Sequence, residues 1–487
     1  MPTSSDRELA FSPAWKLREL IAKRKLSPVE LTEACLRRIE ALNPKLNAFL
    51  TVTADMAMAE AKKAEAAVKR GAELGPLHGI PVPIKDLEAV KGVKLTQGSL
   101  LHKDDVADQD AIAVQRVRAA GGIIIGKTNT PEWGLSGTNE NRLGDACRNP
   151  WDPERTSGGS SGGSGAAVAS GMAPIAQGSD GGGSVRIPAS LVGIYGIKAT
   201  QGRVPRRHVE PYSWQPVNFS SIGPMTRNVK DGAIFLKALS GNAPHAEYGT
   251  LRARVPDYEA ALGRGVKGLR VAWSADLGGH AVDLEVKAVC EKAARVFEGL
   301  GAHVEEADFR PADAPDLFTT WYRFFAARAW AAHPEAHKRL DTLTDYAREV
   351  LEDGRDLTSE QLFYTYGGII QAQAYARDFF KKYDLLLSPT LAVASFKVNQ
   401  HPGTIGGKRT PNRRLGWLMT YIFNVTGNPA ATVPCGFAKT GPSAGSPKGM
   451  PVGLQITGRH EDEETVIAAS AAFEAARPWA DRLPQVS

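Results

Sequence analysis

The chain has 487 residues, 43% of them apolar and 23% charged, which excludes a wholly disordered or fibrous polypeptide and supplies enough apolar chain for a large core. A net charge of +6 without a basic tail implies no nucleic-acid partner. Four cysteines without a CxxC pair, no basic-then-apolar leader at the N-terminus and no apolar run of membrane-spanning length together predict a soluble cytoplasmic protein, with neither a disulfide framework nor a zinc knuckle.

The first element begins at Ser27-Pro28-Val29-Glu30, read as a capping box with Pro at the first helical position. Leu31, Cys35 and Ile39 then fall on one helix face, and Asn43-Pro44 is expected to end the pattern. An Ala- and Lys-rich helix is predicted over Ala54 to Gly71. Residues 79–86 (GIPVPIKD) alternate apolar side chains with prolines that exclude an ordinary central strand, and they deliver Lys85 at their end. A helix over Ala111 to Ala120, a buried strand over Gly122 to Gly126 and a further helix over Leu284 to Leu300 make the chain α/β. Residues 240–265 and 439–448 read as loops.

Three motifs carry competing readings. Residues 121–128 (GGIIIGKT) match the phosphate-loop pattern, but the loop positions are an Ile run that favours a strand, and Pro131 blocks the helix that must follow. His333-Pro-Glu-Ala-His337 has the i, i+4 spacing of zinc ligands, yet Pro334 interrupts it and no third ligand is near in sequence, so a solvated helix surface is expected and no metal. The Gly/Ser-dense block at 156–165 (TSGGSSGGSG) is open to three readings. It can be a flexible linker, although it runs straight into Ala166-Ala167-Val168-Ala169. It can be a GxSxG nucleophile elbow at 158–162, although the polar, twice-proline segment from Asn149 to Arg155 is a poor candidate for the strand an elbow requires.

The third reading joins two serine clusters to the lysine. In Asp180-Gly181-Gly182-Gly183-Ser184, three glycines before a serine let backbone N–H groups converge on one point, as an oxyanion hole requires. The block holds no histidine, so Lys85 is the candidate base, and at an ordinary pKa near 10.4 it must be buried to be neutral at pH 7.

These segments resemble the amidase signature family of serine amidases. The resemblance rests on residues 79–86 (GIPVPIKD), 126–141 (GKTNTPEWGLSGTNEN), 148–170 (RNPWDPERTSGGSSGGSGAAVAS) and 178–200 (GSDGGGSVRIPASLVGIYGIKAT). It extends through 220–231 (SSIGPMTRNVKD), 383–390 (YDLLLSPT), 424–437 (NVTGNPAATVPCGF) and 449–460 (GMPVGLQITGRH). It implies an α/β fold with a large mixed central β-sheet covered by helices on both faces, in one domain over 1–487. Within it, 1–75 would be N-terminal helices, 79–235 the signature core, 240–380 a variable pocket region and 383–480 the C-terminal part of the core.

The resemblance also implies that Ser184 is the nucleophile, Ser160 a serine after a cis peptide, and Lys85 the base. The oxyanion hole would lie on the backbone of Gly181, Gly182, Gly183 and Ser184. Ser161 would help hold the lysine, Asp180 and Arg186 would form a supporting ion pair, and Gly134 would line the pocket. Gly181 departs from the larger residue common in the family. Phe318, Tyr322 and Phe325 sit at helical spacing, and with Trp321, Phe324, Trp330, Tyr212 and Trp214 they suit either a core stripe or an aromatic pocket. The implied activity is hydrolysis of amide C–N bonds, extending to esters and aryl carbamates, on a small apolar or aromatic substrate without cofactor or metal. A homodimer is a compatible assembly. The alternative function is that of the amidase component in a glutamine-dependent transamidase that modifies misacylated tRNA.

Overall fold

The computed structural model describes residues 3–206, 219–244, 246, 249–310, 316–410, 412, 414–446 and 448–487. Short runs of leucine, isoleucine and alanine build its centre. Leu385–Pro389, Met450–Gly458 and Ile175–Asp180 are buried along their whole length, as strands covered on both faces must be. They belong to an eight-stranded sheet whose spatial order is His303–Glu306, Arg270–Trp273, Leu385–Pro389, Met450–Gly458, Ala430–Ala438, Tyr195–Lys198, Ser221–Thr226 and Ile175–Asp180. The first three strands run parallel and the remaining pairings are antiparallel, so the sheet is mixed.

Helices cover both faces. On the strand Met450–Gly458, Gly453 faces Ser190 of the helix Arg186–Val192, whereas Gly458, an odd number of residues further on, faces Val466 of the helix Glu463–Ala476. A second sheet of three strands, in the order Phe49–Val52, Ile123–Thr128, Pro81–Lys85, stands beside it. Pro81–Lys85 is an edge strand there, which suits its prolines, and it runs parallel to Ile123–Thr128 with Lys85 opposite Thr128.

Several local expectations need correction. The helix at Pro28 continues through Pro44 to Leu46, because a proline in the last turn removes a single bond and Asn47, in the left-handed region, ends the helix instead. Ser27 caps it by accepting from Val29 N–H at 3.0 Å, without the reciprocal Glu30 bond of a capping box. Residues 1–75 contain the strand Phe49–Val52 as well as helices. The helix expected over Leu284 to Leu300 is divided into Leu284–Ala294 and Val296–Gly299. Asp152–Thr156 is a strand despite its polarity, paired with Arg148–Asn149 in a small hairpin outside the main sheet.

The phosphate-loop match is a buried strand, Ile123–Thr128, and Lys127 Nζ lies 2.6 Å from Asp86 Oδ1 with both side chains fully buried. The lysine of that motif is therefore consumed by a structural ion pair. No described helix is long and apolar enough to cross a membrane.

Candidate active site

Lys85 leaves the edge strand and enters the space between the two sheets. Its backbone N–H donates to Gln177 Oε1 at 2.9 Å, tying it to the strand Ile175–Asp180. Its side chain is wholly buried, with Nζ 2.7 Å from Ser160 Oγ and 3.1 Å from Ser179 Oγ. Burial pushes its pKa down to about 7, against the opposing pull of Glu88 and Asp180. Lys198 is also buried and pushed down to about 7, by burial and then by the Arg186 charge. Its Nζ donates to Ala199 O, so of these two lysines Lys85 is the one that meets a serine.

Ser160 sits in the turn between the small hairpin and the helix Gly162–Ala169, after a cis peptide from Gly159. The whole segment is buried, which excludes a flexible linker. A Cβ on Gly159 would stand 2.2 Å from Thr138 O, so only glycine fits there, and Gly159 N–H donates to Gly137 O at 2.7 Å. Ser161 N–H donates to Ser184 O at 3.2 Å, which stitches the two serine loops together.

Ser161 Oγ does not touch the lysine. It donates to Ser179 O at 3.1 Å and accepts from Ser179 N–H at 3.2 Å, so it reaches Lys85 only through Ser179. Ser179 is the contact that sequence reasoning missed. Its signal was strand alternation, since Gln177 and Ser179 lie on one face of Ile175–Asp180 and both turn to Lys85.

Ser184 opens the helix Arg186–Val192 at the end of the triple-glycine loop. Asp180 and Arg186 fix that loop by a fully buried two-pronged pair, Nη2 to Oδ1 at 2.9 Å and Nε to Oδ2 at 3.0 Å. Burial works to raise the Asp180 pKa, but the adjacent Arg186 charge and its hydrogen bonds outweigh it and hold the carboxyl at about 2. Asn424 Nδ2 adds a bond to Asp180 Oδ1 at 2.8 Å, and Arg186 Nη1 reaches Gln455 Oε1 at 2.7 Å.

The same carboxylate refines the expected oxyanion hole. Asp180 Oδ1 takes the Gly183 N–H at 2.8 Å. The amides of Gly181, Gly182 and Ser184 make no hydrogen bond to another described residue, and these three residues line the cavity. Gly183 instead allows φ of 126° and the passage of Thr420, whose Oγ1 donates to Gly182 O at 2.6 Å. A Cβ at Gly181 would meet nothing closer than 3.9 Å, so the departure at that position leaves open space.

The cavity has a volume of about 310 Å³ and is lined by Ser160, Ser179 and Ser184 together. Trp133, Trp321, Phe325, Leu87 and Leu418 supply much of the rest. Gly134 lines it, and a Cβ there would lie 3.1 Å from Ser160 Oγ. The helix Leu317–Ala332 serves both readings of its aromatic stripe. Trp321 and Phe325 stack at 5.1 Å in the cavity wall, while Phe324 is buried against Phe219. Trp321 Nε1 also donates to Gly181 O at 3.1 Å. Tyr212 and Trp214 lie outside the described residues.

A buried amine of low proton affinity on one serine, with a second serine and amides that bond to no other described residue in the same cavity, has the parts for acyl transfer through a serine ester. These are the parts that a lysine-dependent serine hydrolase uses. Residues 30–467 match the amidase family, and the chain belongs to the amidase signature family of amide-hydrolysing enzymes. It is 38% identical over 490 residues to an acylamidase of Rhodococcus erythropolis, covering 99% of this chain and 98% of that one. It is 34% identical over 511 residues to one subunit of the glutamyl-tRNA(Gln) amidotransferase of Moorella thermoacetica, covering 98% of this chain and 99% of that one. The crystal structure of a bacterial aryl acylamidase superposes with a TM-score of 0.89 at 32% identity, over 96% of this chain and 97% of that one.

Proposed function

We propose that the chain is a stand-alone cytoplasmic hydrolase of apolar or aromatic amides, with Ser184 as nucleophile, Ser160 as proton relay and Lys85 as base. The 2.7 Å contact between Lys85 Nζ and Ser160 Oγ, in a cavity that also presents Ser184, carries this reading. With the amine neutral, the Ser160 hydroxyl donates to Nζ across that contact and takes up the Ser184 proton as Oγ of Ser184 bonds to the carbonyl carbon. The N–H groups of Gly181, Gly182 and Ser184 receive the charge that develops on the carbonyl oxygen. The proton held on Lys85 returns through Ser160 to the amine nitrogen as the C–N bond breaks. Water then repeats the sequence on the Ser184 ester; esters form the same acyl intermediate, and aryl carbamates the corresponding carbamoyl or carbonate ester of Ser184.

The indole and phenyl walls favour an apolar or aromatic acyl or amine group, and the acylamidase relative points the same way. The similarity to a component of a tRNA amidotransferase supports glutamine as a second reading. Among the described lining residues, however, the charged side chains are Arg206 and Arg328, and no Asp or Glu meets the α-ammonium of glutamine. The pure chain, incubated alone with glutamine, an acyl anilide, a fatty amide and an aryl carbamate, is expected to turn over the anilide. Glutamine turnover that appears only with added partner proteins and tRNA would refute the proposal.

A further inference from the structure

We propose that His102, His333 and Glu335 form a divalent transition-metal site, suited to Zn²⁺, at the rim of the cavity. The zinc-like spacing of His333 and His337 is not its origin. The chain between them forms a tight turn, Pro334–Ala336, rather than one helix face, and neither histidine lies on a solvated helix surface. His337 turns away, stacking on Trp330 at 3.4 Å between ring centroids and pairing with Trp330 O at 2.9 Å. The partner of His333 comes instead from far away in sequence, at the end of the turn Leu100–His102.

One ligand atom from each of the three residues lies within 4.8 Å of the others. Glu335 Oε1 is 3.2 Å from His333 Nδ1 and 3.3 Å from His102 Nε2. A tetrahedral zinc ion with ligand distances near 2.0–2.2 Å separates its ligand atoms by about 3.3–3.5 Å. Two edges of that tetrahedron already stand close to this spacing, and the third is no longer than 4.8 Å.

Three features distinguish the cluster from a surface ion pair. His102 Nδ1 is engaged by Asp105 Oδ2 at 2.8 Å, the carboxylate support that fixes the tautomer of a metal-binding histidine and leaves Nε2 with its lone pair. That Nε2 is buried yet has no hydrogen-bond partner, although Glu335 is near. His333 is held by a stack on Trp133, with centroids 4.0 Å apart and planes at 15°. His, His and Glu are borderline-to-hard nitrogen and oxygen donors, as zinc accepts, and three protein ligands leave a fourth position for water. A bound ion would bridge the 100–102 turn to the end of the helix that carries Trp321 and Phe325 into the cavity wall.

The test is calorimetric titration of the chelator-stripped full chain with zinc chloride, together with the visible spectrum of the Co²⁺ form. One equivalent of zinc and an intense four-coordinate Co²⁺ spectrum are expected. His102→Ala and Glu335→Gln, each confirmed folded by its melting curve, should weaken zinc binding about 100-fold, Asp105→Asn about tenfold, and His337→Ala not at all. Absence of stoichiometric binding, or an affinity unchanged in both His102→Ala and Glu335→Gln, overturns the site.

Discussion

Burial of Lys85 couples rate and stability to one titration, and replacing it by methionine separates the two. The folded lysine titrates near 7 and the unfolded one at the ordinary 10.5. At about 1.36 kcal/mol per unit, the ionised form is destabilised by about 5 kcal/mol in the fold. The folded chain therefore binds fewer protons than the unfolded one between pH 7 and 10.5, so this group's penalty is full below 7, shrinks as pH rises and vanishes above 10.5. Lys85→Met removes the penalty but forfeits the bonds to Ser160 and Ser179, about 1 kcal/mol each. The variant is expected to be inactive and more stable than wild type by about 3 kcal/mol at pH 6, with the order reversed above pH 10.5. Urea unfolding at the two pH values measures this. In the wild type, kcat/KM should climb through an inflection near 7 and stand about thirtyfold below its plateau at pH 5.5. A flat profile, a Lys85→Met variant that keeps wild-type rates, or one less stable at pH 6 refutes the reasoning.

Ser184→Ala should abolish labelling by a serine-directed phosphonate, and label found on Ser160 would restore the GxSxG reading. Gly182→Ala drives a Cβ to 2.5 Å from the Trp321 ring and is expected to lower kcat about 100-fold, as loss of an oxyanion donor does. Gly181→Ala, with open space before it, should stay within about twofold; equal losses in the two variants would contradict this steric reading of the loop. Asp180→Asn leaves the Arg186 charge buried without its counterion and should cost about 3–5 kcal/mol in urea unfolding.

The parts legible in sequence were those that local chemistry dictates. Glycines packed before a serine, a lysine after an apolar run and an aspartate six residues before an arginine each state a requirement within a few residues. Contacts made by tertiary approach were not legible. Ser179 looks like any polar residue of a strand until Lys85 arrives 94 positions away in sequence. The hairpin strand Asp152–Thr156 forms against its own propensity because Arg148–Asn149 supplies a partner. Pro44 marks a helix end in sequence, but the deciding residue is Asn47, which tolerates the left-handed turn. The spacing of His333 and His337 was visible, whereas His102 was not, since only the fold brings it within reach of His333 and Glu335.

Trp321 at once lines the cavity and bonds to the loop that holds Gly181 and Gly182. On the proposed mechanism, pocket width and transition-state stabilisation are consequently not separate variables in this enzyme. A lineage, or an engineer, that shortens Trp321 to widen the cavity also withdraws a hydrogen bond from the loop proposed to bind the oxyanion. New specificity should then be reached with least loss through Phe325 or Leu418, which line the cavity without bonding to that loop.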